Sequence, residues 1–231
     1  MAEYTVGLDP GQTVDPTAIA VVQRIDGGTK PLYRCGHLER LPLNTTYPDV
    51  ITHTRRLLQQ SPLLGRAELV LDLTGIGRPV GDMFRQEGLH PIKVTITAGH
   101  EEKIGERGEH HVAKLILVSQ VQALLHDGRL QIQKDLAEAP VLRSELEDFR
   151  ATVSGSGRWT FGARSGAHDD LVLALSLAVW RANKRGSGRI DPSVLVRSAQ
   201  IRTRHSLDNF SSNDASAELR MLHIRAISRG R

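Results

Sequence analysis

Short apolar runs that end in polar, glycine-containing turns dominate the first hundred residues of the chain. Residues 4–8 and 18–25 are the clearest of these runs. Both are rich in Val, Ile or Leu, and both lead into a turn that contains Asp and Gly. Runs of this kind are typical of β-strands. The same pattern predicts further strands at residues 32–38, 68–73, 92–97 and 158–161.

Apolar residues spaced three and four apart predict helices between and after these strands. The predicted ranges are 48–60, about 77–87, 110–126 and 136–151. In the last of these, Glu145 and Glu147 are expected on the outer side of the helix. One more helix begins near residue 168, and because the residues that follow are almost all apolar, we expect it to be buried.

The order of these elements predicts an α/β fold. Three strands joined by short turns favour an antiparallel meander, whereas strands separated by helices favour parallel addition to the same sheet. We therefore expect a mixed sheet of five strands with helices on both faces. From residue 184 onward Gly, Ser, Arg and Asn dominate. This composition predicts a folded domain over residues 1–183 and a basic, partly flexible tail over 184–231, with one amphipathic helix at 215–227.

The start of the buried helix carries a histidine and two adjacent carboxylates, His168, Asp169 and Asp170. One aspartate is enough to cap the free N–H groups of a helix N-terminus and to interact favourably with the helix dipole. The second adds like-charge repulsion, which a divalent cation would relieve. Taken alone, this helix is consistent with a cap or with a metal site.

Two further acids, Asp9 and Asp72, end apolar strands and are followed by glycine-containing turns. In α/β sheets ligands bind outside the carboxyl ends of the strands. If these strands are parallel neighbours and the last helix packs on them, Asp169 and Asp170 arrive at the same point. Several carboxylates without a cysteine cluster favour Mg²⁺ or Mn²⁺. Two such ions about 4 Å apart suit the in-line hydrolysis of a phosphodiester, so the four acids together favour a metal site.

Three other polar residues are candidates for the same site. His168 is a candidate for proton transfer or phosphate contact, and Lys114 is a candidate for contact with the scissile phosphate. Capping for the histidine and solvation for the lysine are the ordinary alternatives. Asp15 stands before a proline at a turn, where acids more often bond to the backbone. We therefore leave Asp15 outside the predicted site.

Composition narrows the class of protein. The 231 residues include one cysteine, and no run approaches the roughly 20 apolar residues of a membrane span. The N-terminus lacks the pattern of a signal peptide, so we expect a cytoplasmic protein without a membrane partner. Residues 181–231 contain eleven Lys and Arg against four Asp and Glu. A basic tail suits a polyanion such as DNA, although a solvated tail without a partner has the same composition.

Several segments together resemble the nuclease domain of phage terminase large subunits. They read GLDPGQTVDPTAIAVV, LVLDLTGIGRPVGDMF, HHVAKLILVSQVQALLHDGRLQI, LRSELEDF and HDDLVLALSLAVW, and they span about residues 4–182. The resemblance implies an RNase H-like fold, related to Holliday-junction resolvases, over residues 1–183. It also implies a metal-dependent endonuclease that cleaves double-stranded DNA. In that enzyme two Mg²⁺ or Mn²⁺ ions would be held by Asp9, Asp72, Asp169 and Asp170.

The resemblance further implies a setting, the processing or packaging of phage or prophage DNA in the cytoplasm of a bacterial host. The sequence contains no G-x-x-x-x-G-K-[ST] phosphate loop, the motif expected of a terminase ATPase. We therefore expect a split terminase, a prophage remnant or a free-standing nuclease subunit. A separate ATPase, a small subunit and a portal protein are the candidate partners.

Two other functions stay open at this point. Actin-like ATPases and sugar kinases also begin with an Asp-x-Gly turn after the first strand, and GLDPGQT resembles that loop. A chain of this length is, however, too short for their duplicated domain. The other alternative is a non-catalytic DNA-binding or docking remnant, in which the acids only cap helices and order turns.

Overall fold

The computed structural model describes residues 3–11, 13–148, 150–153, 159–162, 168–184 and 210–211. Its strands are β1 (Tyr4–Asp9), β2 (Ala18–Ile25), β3 (Leu32–Arg40), β4 (Ala67–Asp72), β5 (Ile92–Thr97), β6 (Glu102–Ile104), β7 (His110–Ala113), β8 (Leu130–Gln133), β9 (Arg150–Val153), β10 (Trp159–Gly162) and β11 (Phe210–Ser211). Its helices are α1 (Tyr47–Leu58), α2 (Gly77–Gln86), α3 (Lys114–His126), α4 (Ala139–Asp148) and α5 (Asp170–Lys184).

One mixed sheet organises the chain, with the strand order β11-β8-β3-β2-β1-β4-β5-β7-β6. The first three strands form the predicted antiparallel meander, and β4 and β5 extend it in parallel from β1. The predicted α/β class is confirmed, but the prediction of five strands was too low. The additional strands β6, β7, β8 and β11 have only two to four residues each. They lack the long apolar run on which the prediction relied.

The segment 110–126, predicted as one helix, is divided between a strand and a helix. Residues His110–Ala113 form β7, which pairs with β5 on one side and with β6 on the other, and α3 begins directly at Lys114. Pairing on both sides satisfies the backbone groups of β7. This tertiary pairing outweighs the helical spacing of the apolar residues. The predicted helix 136–151 is also shorter, because Arg150–Val153 belongs to β9.

Helices cover both faces of the sheet, as predicted. α1 and α2 pack on one face, against side chains that include Val6, Leu8 and Ile19. α3, α4 and α5 cover the other face, where α5 lies along β1 and β2. Because side chains alternate along a strand, the neighbours of Leu8, which are Gly7 and Asp9, face α5.

The close packing of α5 on β1 depends on Gly7. A Cβ atom at this position would overlap the carbonyl oxygen of Ala174 and lie 2.9 Å from the backbone nitrogen of Ala178. Four helix residues rise about 6 Å, and two strand residues advance about 6.6 Å. Asp170, one turn before Ala174, therefore comes level with Asp9, two residues beyond Gly7.

The C-terminal part of α5 is fixed to the sheet by polar contacts. Arg181 Nε donates to Glu68 Oε2 of β4 at 2.7 Å. Trp180 Nε1 donates to Glu102 Oε2 of β6 at 3.3 Å, and the ammonium group of Lys184 pairs with the same carboxylate. The helix is thus held to two strands at the end that lies away from Asp170.

Little of the predicted tail falls within the described ranges. The predicted helix at 215–227 lies outside them, and β11 pairs in parallel with β8. Among the helices that the structure describes, none has the length and apolar character needed to cross a membrane.

Replacing Gly7 by alanine tests the packing of α5. We expect Gly7→Ala to lower the free energy of unfolding by about 1–3 kcal/mol or more, because the new methyl group meets helix backbone that cannot rotate away. Urea denaturation followed by circular dichroism measures the change. Gly27→Ala is the matched control, since a Cβ atom there has no neighbour within 4 Å. Equal stabilities of the two variants would contradict this account of the packing.

Candidate active site

Asp9 and Asp72 end two neighbouring parallel strands. The register pairs Leu8 with Leu71, so the next residue on each strand is one of the two acids. Val70, two residues before Asp72, packs with Leu177 of α5, so the alternation of side chains turns Asp72 toward the same face as Asp9. The predicted adjacency of these two acids is confirmed.

The pKa values of both acids reflect their shared surroundings. Burial raises the pKa of Asp9 well above its usual value, and the nearby charges of Asp72, Asp170 and Asp169 raise it further, while Lys114 lowers it. Asp72 is only 4% exposed. Its burial raises its pKa, and hydrogen bonds from Thr74 partly offset that effect. The structure therefore brings all four predicted acids into one electrostatic cluster.

Asp170 opens α5 as a buried carboxylate, 6% exposed. No group in the described part of the chain donates a hydrogen bond to its Oδ2 atom. The Nδ1 atom of His168 lies 3.8 Å from that oxygen. Burial, followed by the charge of Asp15, raises the pKa of Asp170 to about 6. A buried carboxylate oxygen without a hydrogen-bond donor is available to bind a cation.

The cap of α5 comes from another helix. The backbone N–H of Val172 donates to Glu145 Oε2 of α4 at 3.0 Å. The prediction that Glu145 lies on the outer side of its helix was wrong, since it is only 5% exposed. Burial raises its pKa to about 7, and the charges of Asp170 and Asp169 add to the rise. The sequence of α4 did not predict that Glu145 caps α5, because this contact depends on how the two helices pack.

Asp15 also reaches the site, although the sequence gave reason to leave it out. Its Oδ1 atom lies 2.9 Å from His168 Nδ1. Within the described ranges, possible ligand atoms of Asp15, His168 and Asp170 lie within 4.8 Å of one another. The turn after β1 folds back tightly enough that a Cβ atom on Gly11 would overlap the carbonyl oxygen of Asp15. That tight turn, which Gly11 permits, is the signal that sequence reasoning missed.

The structure places the two candidate auxiliary residues, His168 and Lys114, at the cluster. Lys114 Nζ lies 2.6 Å from Asp169 Oδ2, and its charge lowers the pKa values of Asp9 and Asp72. Because α3 begins at Lys114, directly after β7, this ammonium group is attached to the same edge of the sheet as the acids. Lys114 supplies one positive charge among several carboxylates.

The donor set fits hard divalent cations. It consists of aspartate oxygens with one imidazole at the rim, a combination suited to Mg²⁺ or Mn²⁺ rather than to thiolate-seeking metals. The acids held close together, the raised pKa values and the unpartnered Oδ2 atom of Asp170 all indicate missing positive charge. The arrangement is therefore able to bind cations at the carboxyl edge of the sheet.

Comparison with known proteins gives a consistent result. No protein-family model matches the chain. The large terminase subunits of Thermus phage G20c and Thermus virus P23-45 are each 23% identical to it over 177 residues, which are 76% of this chain and 31% of each relative. The chain thus spans about a third of the length of the curated relatives that it matches.

Solved structures show the same likeness. The large terminase nuclease of the thermophilic phage G20c with bound magnesium has a TM-score of 0.59 at 23% identity, covering 77% of this chain and 80% of that one. The large terminase nuclease domain of Thermus phage P74-26 has a TM-score of 0.53 at 23% identity, covering 76% and 77%. The RNase H-like α/β fold, and the resemblance to terminase nuclease domains that the motifs indicated, are confirmed.

The raised pKa of Asp170 predicts a pH-dependent penalty on stability. Its folded-state pKa of about 6 exceeds the usual value near 4, so folding is favoured while the group is protonated and the benefit is lost as the pH rises through that interval. Without divalent ions, Asp170→Asn should therefore raise the free energy of unfolding at pH 8 by about 1–3 kcal/mol. The gain should shrink toward zero near pH 4.

Urea denaturation in EDTA at several pH values measures this difference. Asp26→Asn is the matched control, because Asp26 is an exposed acid in the turn after β2, away from the cluster. A gain in stability that stayed the same at every pH would show that the charge of Asp170 is not its cause.

Proposed function

We propose that this chain is a metal-dependent endonuclease that hydrolyses phosphodiester bonds of double-stranded DNA. The observation that carries the proposal is the cluster of Asp9, Asp72, Asp169 and Asp170 at one sheet edge. Among the described residues, no group donates a hydrogen bond to the buried Oδ2 atom of Asp170. The similar large terminase nuclease of phage G20c has been solved with bound magnesium and with bound cobalt, which supports the same use of the cluster here.

Two Mg²⁺ or Mn²⁺ ions would be held by these four aspartates. Asp15 and His168 would complete the position at Asp170, because the three residues already group their possible ligand atoms within 4.8 Å. When bound, such ions supply Lewis acidity toward a phosphate oxygen and lower the pKa of water.

The protein's own groups would position the DNA and move protons. Lys114, beside Asp169, is placed to contact a backbone phosphate, where its charge favours an anion. His168 is exposed at the rim and paired with Asp15, so its ring is oriented to accept or donate a proton at the reacting phosphate. Glu145 holds the start of α5 through Val172 and thereby fixes the two adjacent acids.

We infer that the setting is the processing or packaging of phage or prophage DNA in the cytoplasm of a bacterial host. The similarity to large terminase subunits supports this inference. A separate ATPase, a small subunit or a portal protein would then be its partners. The basic residues 181–231 would add sequence-independent attraction to DNA that weakens as salt increases.

Loss of the strand-end acids should abolish cleavage. With supercoiled plasmid and Mn²⁺, we expect Asp9→Asn combined with Asp72→Asn to lower the cleavage rate at least about 100-fold, since even outer partners of metal ligands are worth 10- to 100-fold. Agarose electrophoresis of nicked and linear products measures the rate. Asp26→Asn, an exposed acid outside the cluster, serves as the matched control and should cleave at the wild-type rate.

Unchanged cleavage by the double variant would overturn the proposal. Two separate measurements address the alternatives. Thermal stabilisation by ATP would support the ATP-binding alternative. Wild-type protein that neither cuts DNA nor gains thermal stability from Mn²⁺ would support the non-catalytic one.

Metal binding itself provides a second test. Isothermal titration calorimetry with Mn²⁺ should show two sites in the wild-type protein. Asp15→Asn should weaken one of them by at least about 10-fold, because it removes a carboxylate that also orients His168. Asp26→Asn should leave both unchanged. Two unaltered sites in Asp15→Asn would exclude Asp15 from the metal position.

A further inference from the structure

Thr74 makes an unusual set of contacts beside Asp72. It lies in the turn that joins β4 to α2, two residues after the acid. Its backbone N–H donates to Asp72 Oδ1 at 2.8 Å, and its hydroxyl group donates to the same oxygen at 2.6 Å. The Oδ2 atom takes part in neither bond. The two donors therefore hold the carboxylate by one edge.

The hydroxyl group of Thr74 is itself fixed by the next strand. The backbone N–H of Ile96 in β5 donates to Thr74 Oγ1 at 2.7 Å. The ladder between the two strands also continues past Asp72, since the N–H of Leu73 donates to the carbonyl oxygen of Val94 at 2.7 Å. The hydroxyl proton is thus directed at Asp72, because the lone pair on the other side is already engaged.

This arrangement matters because a free aspartate rotates easily about its last torsion, whose preferences are broad. Two donors on one oxygen remove that freedom and select a single orientation of the carboxylate plane. The turn that places Thr74 there needs a left-handed residue, and Gly75 supplies it with φ of +78°. Both Thr74 donors bind Oδ1, and the backbone N–H of Ile96 also lowers the pKa of the Asp72 carboxyl by hydrogen bonding. The turn and β5 therefore orient Asp72 together.

We infer that Thr74 is a positioning residue, whose hydroxyl group relays the backbone of β5 to Asp72 Oδ1 and so presents Oδ2 to a divalent cation. The inference rests on the proposed function, since it assigns that oxygen to the metal. Outer partners of metal ligands typically contribute 10- to 100-fold in affinity or activity by orienting the ligand. Thr74 has the position and the contacts of such a partner.

Calorimetric titration with Mn²⁺ tests the inference on the full chain. Thr74→Val keeps the shape of the side chain but removes the hydroxyl group, and we expect it to weaken Mn²⁺ binding about 10- to 100-fold. Thr74→Ser restores the hydroxyl group and should bind within a few-fold of the wild-type protein. Thr74→Ala lacks the hydroxyl group as well and replaces the valine variant if that protein does not fold.

Thr54→Val is the matched control. Thr54 is a buried threonine of α1 whose hydroxyl group donates to the carbonyl oxygen of Val50 at 2.8 Å. Its replacement by valine therefore also removes one hydroxyl hydrogen bond, but in a helix outside the cluster. Thermal denaturation of all variants without metal measures general stability. We expect Thr54→Val to lose stability while keeping the wild-type affinity for Mn²⁺, and Thr74→Val to lose affinity.

The outcomes separate the two ideas. Equal Mn²⁺ affinities of the wild-type protein and Thr74→Val would overturn the inference about Thr74 and leave the proposed function intact. A weakened Thr74→Ser variant, as weak as Thr74→Val, would also overturn it, because the hydroxyl group would then not be the cause. A wild-type protein that binds no Mn²⁺ would overturn the proposed function, and the inference with it.

Discussion

The contact between Gly7 and the backbone of α5 is the constraint on which the candidate site depends. A strand residue with any side chain would hold the helix away from β1, and the acids at the helix start would then stand off from the strand ends. Close contact brings Asp170 level with Asp9, and the parallel register of β1 and β4 adds Asp72. Three elements distant in sequence therefore meet because one residue has no side chain.

That convergence has an electrostatic cost, which the protein offsets only in part. Burial and mutual repulsion raise the pKa values of Asp9 and Asp170. The charge of Lys114 opposes the rise at Asp9, and the charges of His168 and Arg40 oppose it at Asp170. Glu39 shows the contrast. Burial alone would raise its pKa, but hydrogen bonds with His37 and His53 lower it to about 2. A carboxylate with such partners is stabilised in its charged form, whereas burial and neighbouring acids disfavour the charged forms of Asp9 and Asp170.

The sequence predicted the parts of the site that follow from strand ends and from helix starts. Asp9 and Asp72 each close an apolar run, and Asp169 and Asp170 precede one, so their positions follow from local pattern. Asp15 and Glu145 were missed for a physical reason: one depends on how tightly a turn folds back, and the other on how two helices meet.

The fold was predictable to the same extent. The central strands were predictable from their apolar runs, but the short strands β6 and β7 at one side of the sheet were not. Their stability comes from neighbours on the sheet rather than from their own residues. For the same reason the spacing of apolar residues did not predict the boundary between β7 and α3 at Lys114.

The attachments of α5 carry a consequence for motion. The helix is held to β4 and β6 near its C-terminus, against β1 at Gly7, and to α4 through Glu145 at its start. Segments that open locally are those with few buried contacts, and α5 is the opposite kind of segment. Its amide hydrogens should exchange with solvent only when the entire domain opens. The acidic end of the helix is therefore ordered or lost together with the core, as one cooperative unit.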